Sequence, residues 1–209
     1  MTAQEMITKF QTMVDDSIDS DLALQLVNDA KNEVEGSQIW EQLKALDSSQ
    51  TETASAITLP TRFALPIKLT TGTTYDPYTL IAFEDQRQWR DVPYAFYIDY
   101  ANGVYYLTGN PTSTDTIYFF HTKYSSDLGL NDSWTFPTRF HQLIPLKMAQ
   151  LYYAVDAGEK GRSWDDRWAL QYNLILQQAQ AWDNMLKVRA KRTITSMRDS
   201  DLPKGIANF

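Results

Sequence analysis

Thirty consecutive residues, Ser163 to Arg192, contain neither Gly nor Pro and carry apolar side chains on two opposite faces. Trp168, Tyr172, Ile175, Ala179, Trp182 and Leu186 follow 4-3-4-3-4 spacing. On a helix turning 100° per residue they fall within roughly 40° of one line, an aromatic seam. Leu170, Leu174, Ala181, Met185 and Val188 cluster roughly 200 to 260° around the same helix and form a second, aliphatic face. At ~1.5 Å per residue this helix is about 45 Å long, beyond the ~30 Å of a small domain, so part of it is expected to project from its own core. A neighbouring chain is the natural cover for such a projection.

A chain of 209 residues, 43% hydrophobic and 13% aromatic, has enough apolar material for one core or for a bundle with an inserted subdomain. It contains no cysteine, which excludes a disulfide framework, a thiolate nucleophile and a thiolate metal site, and which fits a reducing compartment. The N-terminus lacks a basic region followed by an apolar run, and no segment approaches the ~20 apolar residues of a membrane span. The sequence therefore reads as intracellular and not membrane-bound. The net charge of -7 is unevenly placed: residues 187–209 carry six basic against two acidic residues, +4, leaving -11 on the rest. A basic tail on an acidic body is a poor DNA-binding footprint, because the body repels phosphate. Such a tail is a solvated terminus or docks on an acidic protein surface.

Three sections follow one another along the chain. Residues 3–46 show helical spacing in Met6, Phe10, Met13 and Val14, again in Leu22, Leu26, Ala30 and Val34, and again in Trp40 and Leu43. From Ser48 to Asn131 the pattern turns to short strands and turns: Ile57–Leu59 and Ile67–Thr71 around a Leu59–Phe63 turn, then Tyr94, Phe96 and Ile98 alternating up to Asn102-Gly103. Val104–Leu107 and Thr116–Tyr124 continue the strand region. Helix resumes at Pro137, with Phe140, Leu143, Ile144, Met148, Leu151 and Tyr152, and Pro145 marks a start or a kink. Gly158 and Gly161 break that helix, and Ser163 with Asp165 and Asp166 caps the long one.

The expected fold is thus α+β. N-terminal helices (1–47) pack with two C-terminal helices (132–192), the last one long, as a bundle. A small, mainly antiparallel β-subdomain (48–131) is inserted, and an extended tail (193–209) ends in Ile206, Ala207, Asn208 and Phe209.

Chemistry is sparse. The two histidines, His121 on a strand and His141 on a helix, lie in no zinc motif and read as surface or core residues. Asp15, Asp16, Ser17, Asp19 and Asp21 resemble a calcium loop only superficially, since Ser20 stands where the turn Gly belongs and Leu26 where the bidentate Glu belongs. Asp19 or Ser20 as a helix cap is the better reading. The pairs Glu84-Asp85 and Asp165-Asp166 are sequence neighbours whose side chains diverge, and no phosphate loop or nucleophile elbow is present. No catalytic, cofactor or metal site is expected. Trp89, Tyr94, Tyr97, Tyr100, Tyr105 and Tyr106 could line a sugar or base platform, but on alternating strands they fit a small core or a protein interface better.

The order of elements and several local motifs resemble the head-to-tail adaptor, or connector, proteins of tailed bacteriophages. The N-terminal helices end near Trp40-Glu41-Gln42-Leu43, a polar link leads to Leu59-Pro60-Thr61-Arg62-Phe63, and an aromatic strand region closes at Tyr124. A Pro-led helix from Pro137 to Tyr153, a break and a long helix with a tail complete the pattern. The resemblance implies a non-enzymatic structural virion protein without cofactors, assembled in the host cytoplasm and resident in the neck. It implies a homo-oligomeric ring, typically of twelve, beneath the portal vertex, bound to portal protein and to tail or nozzle proteins. Genomic DNA would pass through its channel without sequence-specific binding. The tail residues Lys187, Arg189, Lys191, Arg192, Arg198, Lys204, Ile206 and Phe209 would then dock on the portal. Leu170, Leu174, Ala181, Met185 and Val188 would form the seam between subunits. A stopper or tail-completion protein, and an aromatic carbohydrate-binding module, are the competing readings.

Overall fold

A computed structural model describes residues 1–53, 55–72, 76–111, 114–160 and 166–200, with side chains described except at 76, 155–160, 166–167 and 189–200. Among these residues the fold is α+β, with four α-helices and a curled seven-stranded sheet. The strands take a larger share than the small insert expected. Two compact units divide the chain: residues 1–34 with 126–209, and residues 35–125.

The helical unit begins with α1 (Ala3–Val14), whose start is a capping box: Glu5 N donates to the Thr2 hydroxyl and Thr2 N to the Glu5 carboxylate. After a left-handed Asp15 comes α2 (Ser20–Gly36), and Asp19 Oδ1 accepts from the amides of Asp21 and Leu22. The acidic stretch is therefore a helix cap, as expected, and Asp16 Oδ2 accepts from the Tyr152 hydroxyl at 2.6 Å. The 4-4-4 spacing of Leu22, Leu26, Ala30 and Val34 predicts one buried line, whereas the buried line is Ala23, Val27, Ala30 and Val34, spaced 4-3-4. Leu22 stands outside it, 56% exposed.

The chain re-enters this unit at Ser126 and is clamped to α2 by polar side chains. Fully buried Lys31 donates to the Ser126 carbonyl, and Asn28 mimics a backbone strand by accepting from Leu128 N and donating to Leu128 O. Trp134 and Phe136 stack at 4.1 Å, and His141 Nε2 donates to the Phe136 carbonyl. Pro137 leads a single 3-10 turn at Thr138–Phe140, after which α3 (Leu143–Lys160) carries Pro145 in its first turn, where a missing N–H costs nothing. Gly158 lies inside α3. The long helix α4 runs Asp166–Ser200, so residues 193–200 continue it and are not extended; the Ser163 cap falls outside the described residues. Within the unit α1 packs on α3, and α3 on α4.

The sheet unit has strand order β1-β7-β3-β4-β5-β6-β2. The strands are β1 (Lys44–Asp47), β2 (Ile57–Thr58), β3 (Phe63–Thr71), β4 (Asp76–Leu80), β5 (Ala95–Asp99), β6 (Val104–Leu107) and β7 (Ile117–Lys123). The Asn102-Gly103 signal does make a hairpin, with Phe96 opposite Leu107 and Asp99 opposite Val104. Pro66 stands opposite His121 at an irregularity, since the β3–β7 register slips on either side of it, between Phe63 and Leu65 and between Pro66 and Lys68. One pair, β4–β5, is parallel, and its crossover holds a 3-10 turn at Phe83–Arg87. The sheet curls so far that Phe119 on β7 meets Tyr105 on β6 at 5.1 Å across three intervening strands. Ile57, Leu69, Phe96, Ile98, Leu107 and Ile117 fill the same interior. Buried Glu35 receives both the amide and the hydroxyl of Ser125, at 2.8 and 2.6 Å, which holds the two ends of the unit together.

Candidate functional site: a two-faced helix

Helix α4 is fixed by its aromatic side. Trp182 meets Phe140 at 5.6 Å, Trp168 stacks on Tyr153 at 6.0 Å, and Ala179 between them is fully buried. Tyr172 lies partly covered on the same line, and burial, assisted by the nearby Glu33 carboxylate, raises its phenol above the ordinary range. Asp183 is also fully buried there and pairs with Lys187 Nζ at 2.7 Å, one turn on. At ~1.5 Å per residue, the 35 residues of α4 make a rod about 52 Å long.

The other side of the rod is bare. Leu170 is 70% exposed, Leu174 56%, Met185 52% and Val188 50%, and Ala181 between them is exposed as well. Apolar side chains collected on one line and left in water cost free energy, at roughly 25 cal/mol per Å² of apolar surface. A contiguous patch of this kind marks a protein interaction surface. Of the basic residues expected to dock on a portal, Lys187 is half-buried and bound to Asp183. Arg189, Lys191, Arg192 and Arg198 lie on the backbone of α4, while Lys204, Ile206 and Phe209 fall outside the described residues.

A second apolar surface in the helical unit is not apparent from sequence spacing. Ile18, Leu22, Leu26 and Leu151 line an open groove of about 660 Å³ between α2 and α3, bordered by Asp29 and Glu33. The signal is present in retrospect: Leu22 and Leu26 sit one position off the Ala23–Val27 line that packs inward. Glu33 pairs with Lys147 at 2.6 Å across this groove's two helices.

The aromatic platform does not assemble. Tyr105 is buried in the sheet core, Tyr94 packs edge-on against Tyr78, Tyr100 leans on Phe63, and only Tyr97 and Tyr106 stack together, at 5.1 Å. His121 is buried and its Nδ1 donates to the Phe119 carbonyl, so it is a core residue. No cluster of potential metal ligands occurs among the described residues, and none of their helices is long and apolar enough to cross a membrane.

A rigid helix that buries one apolar face and offers another to solvent belongs to a component of a protein assembly. The chain belongs to the SU10 adaptor protein family, a family of phage head-to-tail adaptors, whose profile matches residues 1–201. Comparison with curated proteins gives no match. The family consists of structural phage proteins and is not an enzyme family, which makes this chain a virion component that contacts other head and tail proteins.

Proposed function

We propose that the protein forms a ring that joins the portal vertex to the tail and carries the DNA channel onward, with the exposed face of α4 as the seam between subunits. The observation that supports this reading is the division of α4 into a covered aromatic seam and a bare aliphatic one. A subunit that shows one of the two apolar faces of its long helix to water is completed by a neighbour. Twelve copies, as the family resemblance implies, give the ring its stoichiometry. The C-terminal part of the chain, with the basic residues from Lys187 onward, reaches the portal, and the acidic remainder of the chain keeps passing DNA from sticking.

The test is to mix purified protein with its portal and image the product by electron microscopy. A ring stacked on the portal is the expected outcome. Persistent monomers without portal contact, or a complex with tail proteins alone, would replace this reading by a stopper or tail-completion role. Removing residues 201–209 should abolish portal binding and leave the circular dichroism of the folded chain intact.

A further inference from the structure

The bare stripe of α4 and the groove between α2 and α3 are two different apolar surfaces on one helical unit. One is a ridge and the other a hollow. Their spacing is compatible: the ridge at 170, 174, 181, 185 and 188 steps by 4, 7, 4 and 3, and the α2 wall at 22, 26, 29 and 33 steps by 4, 3 and 4, each keeping to one face of its helix so that the two can mesh side by side. Their charges are opposite. On the exposed side of α2 stand Asp21, Asp29 and Glu33, the last shared with Lys147 of α3, whereas the α4 sequence continues from the stripe into Arg189, Lys191 and Arg192.

From this complementarity we propose that the α4 stripe of one copy seats in the α2–α3 groove of the next. The proposal rests on the ring reading above and names the partner of its seam. A stripe packed on another stripe would be a self-complementary contact, closed at two copies. Ridge into groove is head-to-tail: each copy keeps a free groove on one side and a free ridge on the other, and the series ends only when the last ridge finds the first groove. The acidic border of the groove sets the direction, receiving the basic run of Arg189, Lys191 and Arg192. In this pairing Arg189, Lys191 and Arg192 serve the neighbouring copy, which narrows the portal-docking segment proposed above to the residues from Thr193 onward.

The absence of cysteine makes the contact directly measurable. Leu22→Cys and Leu174→Cys each place one thiol at a position that is 56% exposed, so neither substitution disturbs a packed core. Assembled complexes are treated with a short bismaleimide and resolved on denaturing gels. Expected are covalent dimers when the two single variants are mixed, few when either is alone, and a ladder of multimers from the double variant. Dimers of Leu174→Cys alone would mean stripe against stripe and overturn the pairing. A link closed within one chain, seen as a shifted monomer without a ladder, would mean that the chain covers its own groove, and it would overturn the pairing equally. Rings that form yet give no 22–174 link would remove this pairing and leave the ring reading standing. Failure of the unmodified protein to form rings, seen by electron microscopy before any cross-linking, would remove both.

Discussion

The sheet unit and the helical unit differ in how their exposed apolar side chains are arranged. The sheet curls around its own aromatic interior, and Phe119 alone lies within 6 Å of the ring centres of Phe63, Phe96, Tyr105 and His121. The helical unit also buries large residues, among them Met6, Phe10, Phe140, Leu143, Ile144 and Met148, but it leaves Leu170, Leu174, Met185 and Val188 of one helix line half or more exposed. The sheet unit exposes Leu46, Leu80, Tyr94 and Tyr100 as well, but they stand on separate strands and turns and not on one line. A helix with large residues on its solvent side is one part of a surface that another molecule completes. The difference separates the unit whose stability is its own from the unit whose outer surface is proposed to be shared.

The largest expected effect on that contrast is Phe119→Ala. It empties the centre of the sheet and should cost about 3–5 kcal/mol in thermal or denaturant unfolding; a loss below about 1 kcal/mol would show that the curled core does not act as one. Alkaline pH probes the same unit. Burial raises the phenols of Tyr78 and Tyr105 above their ordinary range, helped at Tyr78 by its bond to Glu52 and at Tyr105 by the Asp47 charge. The folded state holds these protons more tightly than the unfolded chain. Their contribution is therefore complete below the unfolded value near ~10 and declines as pH climbs past it. Unfolding midpoints taken from pH 8 to 11 should fall at the upper end, and Tyr105→Phe should flatten the fall.

In the helical unit Asn28→Ala removes the clamp on Leu128 and strands two buried backbone groups, at about 1–3 kcal/mol. Asp19→Ala unties the start of α2 at about 1 kcal/mol, read from the same denaturant curves. Smallest on the isolated chain is Leu174→Glu, within about 0.5 kcal/mol because its side chain already faces water. The same substitution should prevent ring formation in size-exclusion and electron microscopy. Equal damage to fold and assembly would mean that the outer face of α4 is ordinary core.

What the sequence reveals follows the range of the forces involved. The two faces of α4 are legible because a 3.6-residue period is a local property, and the burial on both faces agrees with it. The β5–β6 hairpin is legible because Asn102-Gly103 suits a tight turn and Gly103 takes φ of 65°. Strand β1 is not: the helical spacing of Trp40 and Leu43 yields only a single 3-10 turn at Glu41–Leu43, and Lys44–Asp47 becomes a strand through pairing with Phe119–Thr122 far along the chain. Strand β4 is hidden for a similar reason, with Pro77 arguing against it until Thr70 is placed opposite. The α2–α3 groove needed a one-residue shift in the buried line of α2, a choice made by packing against other elements and invisible to spacing alone. The end of α4 at Ser200 extends past Arg192 because nothing in Thr193–Ser200 forbids helix, only favours it less.

The helical unit is discontinuous, built from residues 1–34 and 126–209 with the uninterrupted sheet segment between them in sequence. During synthesis this imposes a timetable. Residues 35–125 can close on themselves while the ribosome is still working, whereas α1 has no α3 to lie against until the sheet has been made. The α4 stripe, from Leu170 to Val188, emerges later still. A nascent chain therefore shows its groove wall on α2 long before it owns a ridge to insert elsewhere. In the head-to-tail pairing proposed above, the order of translation itself keeps a nascent chain from inserting a ridge into a neighbour.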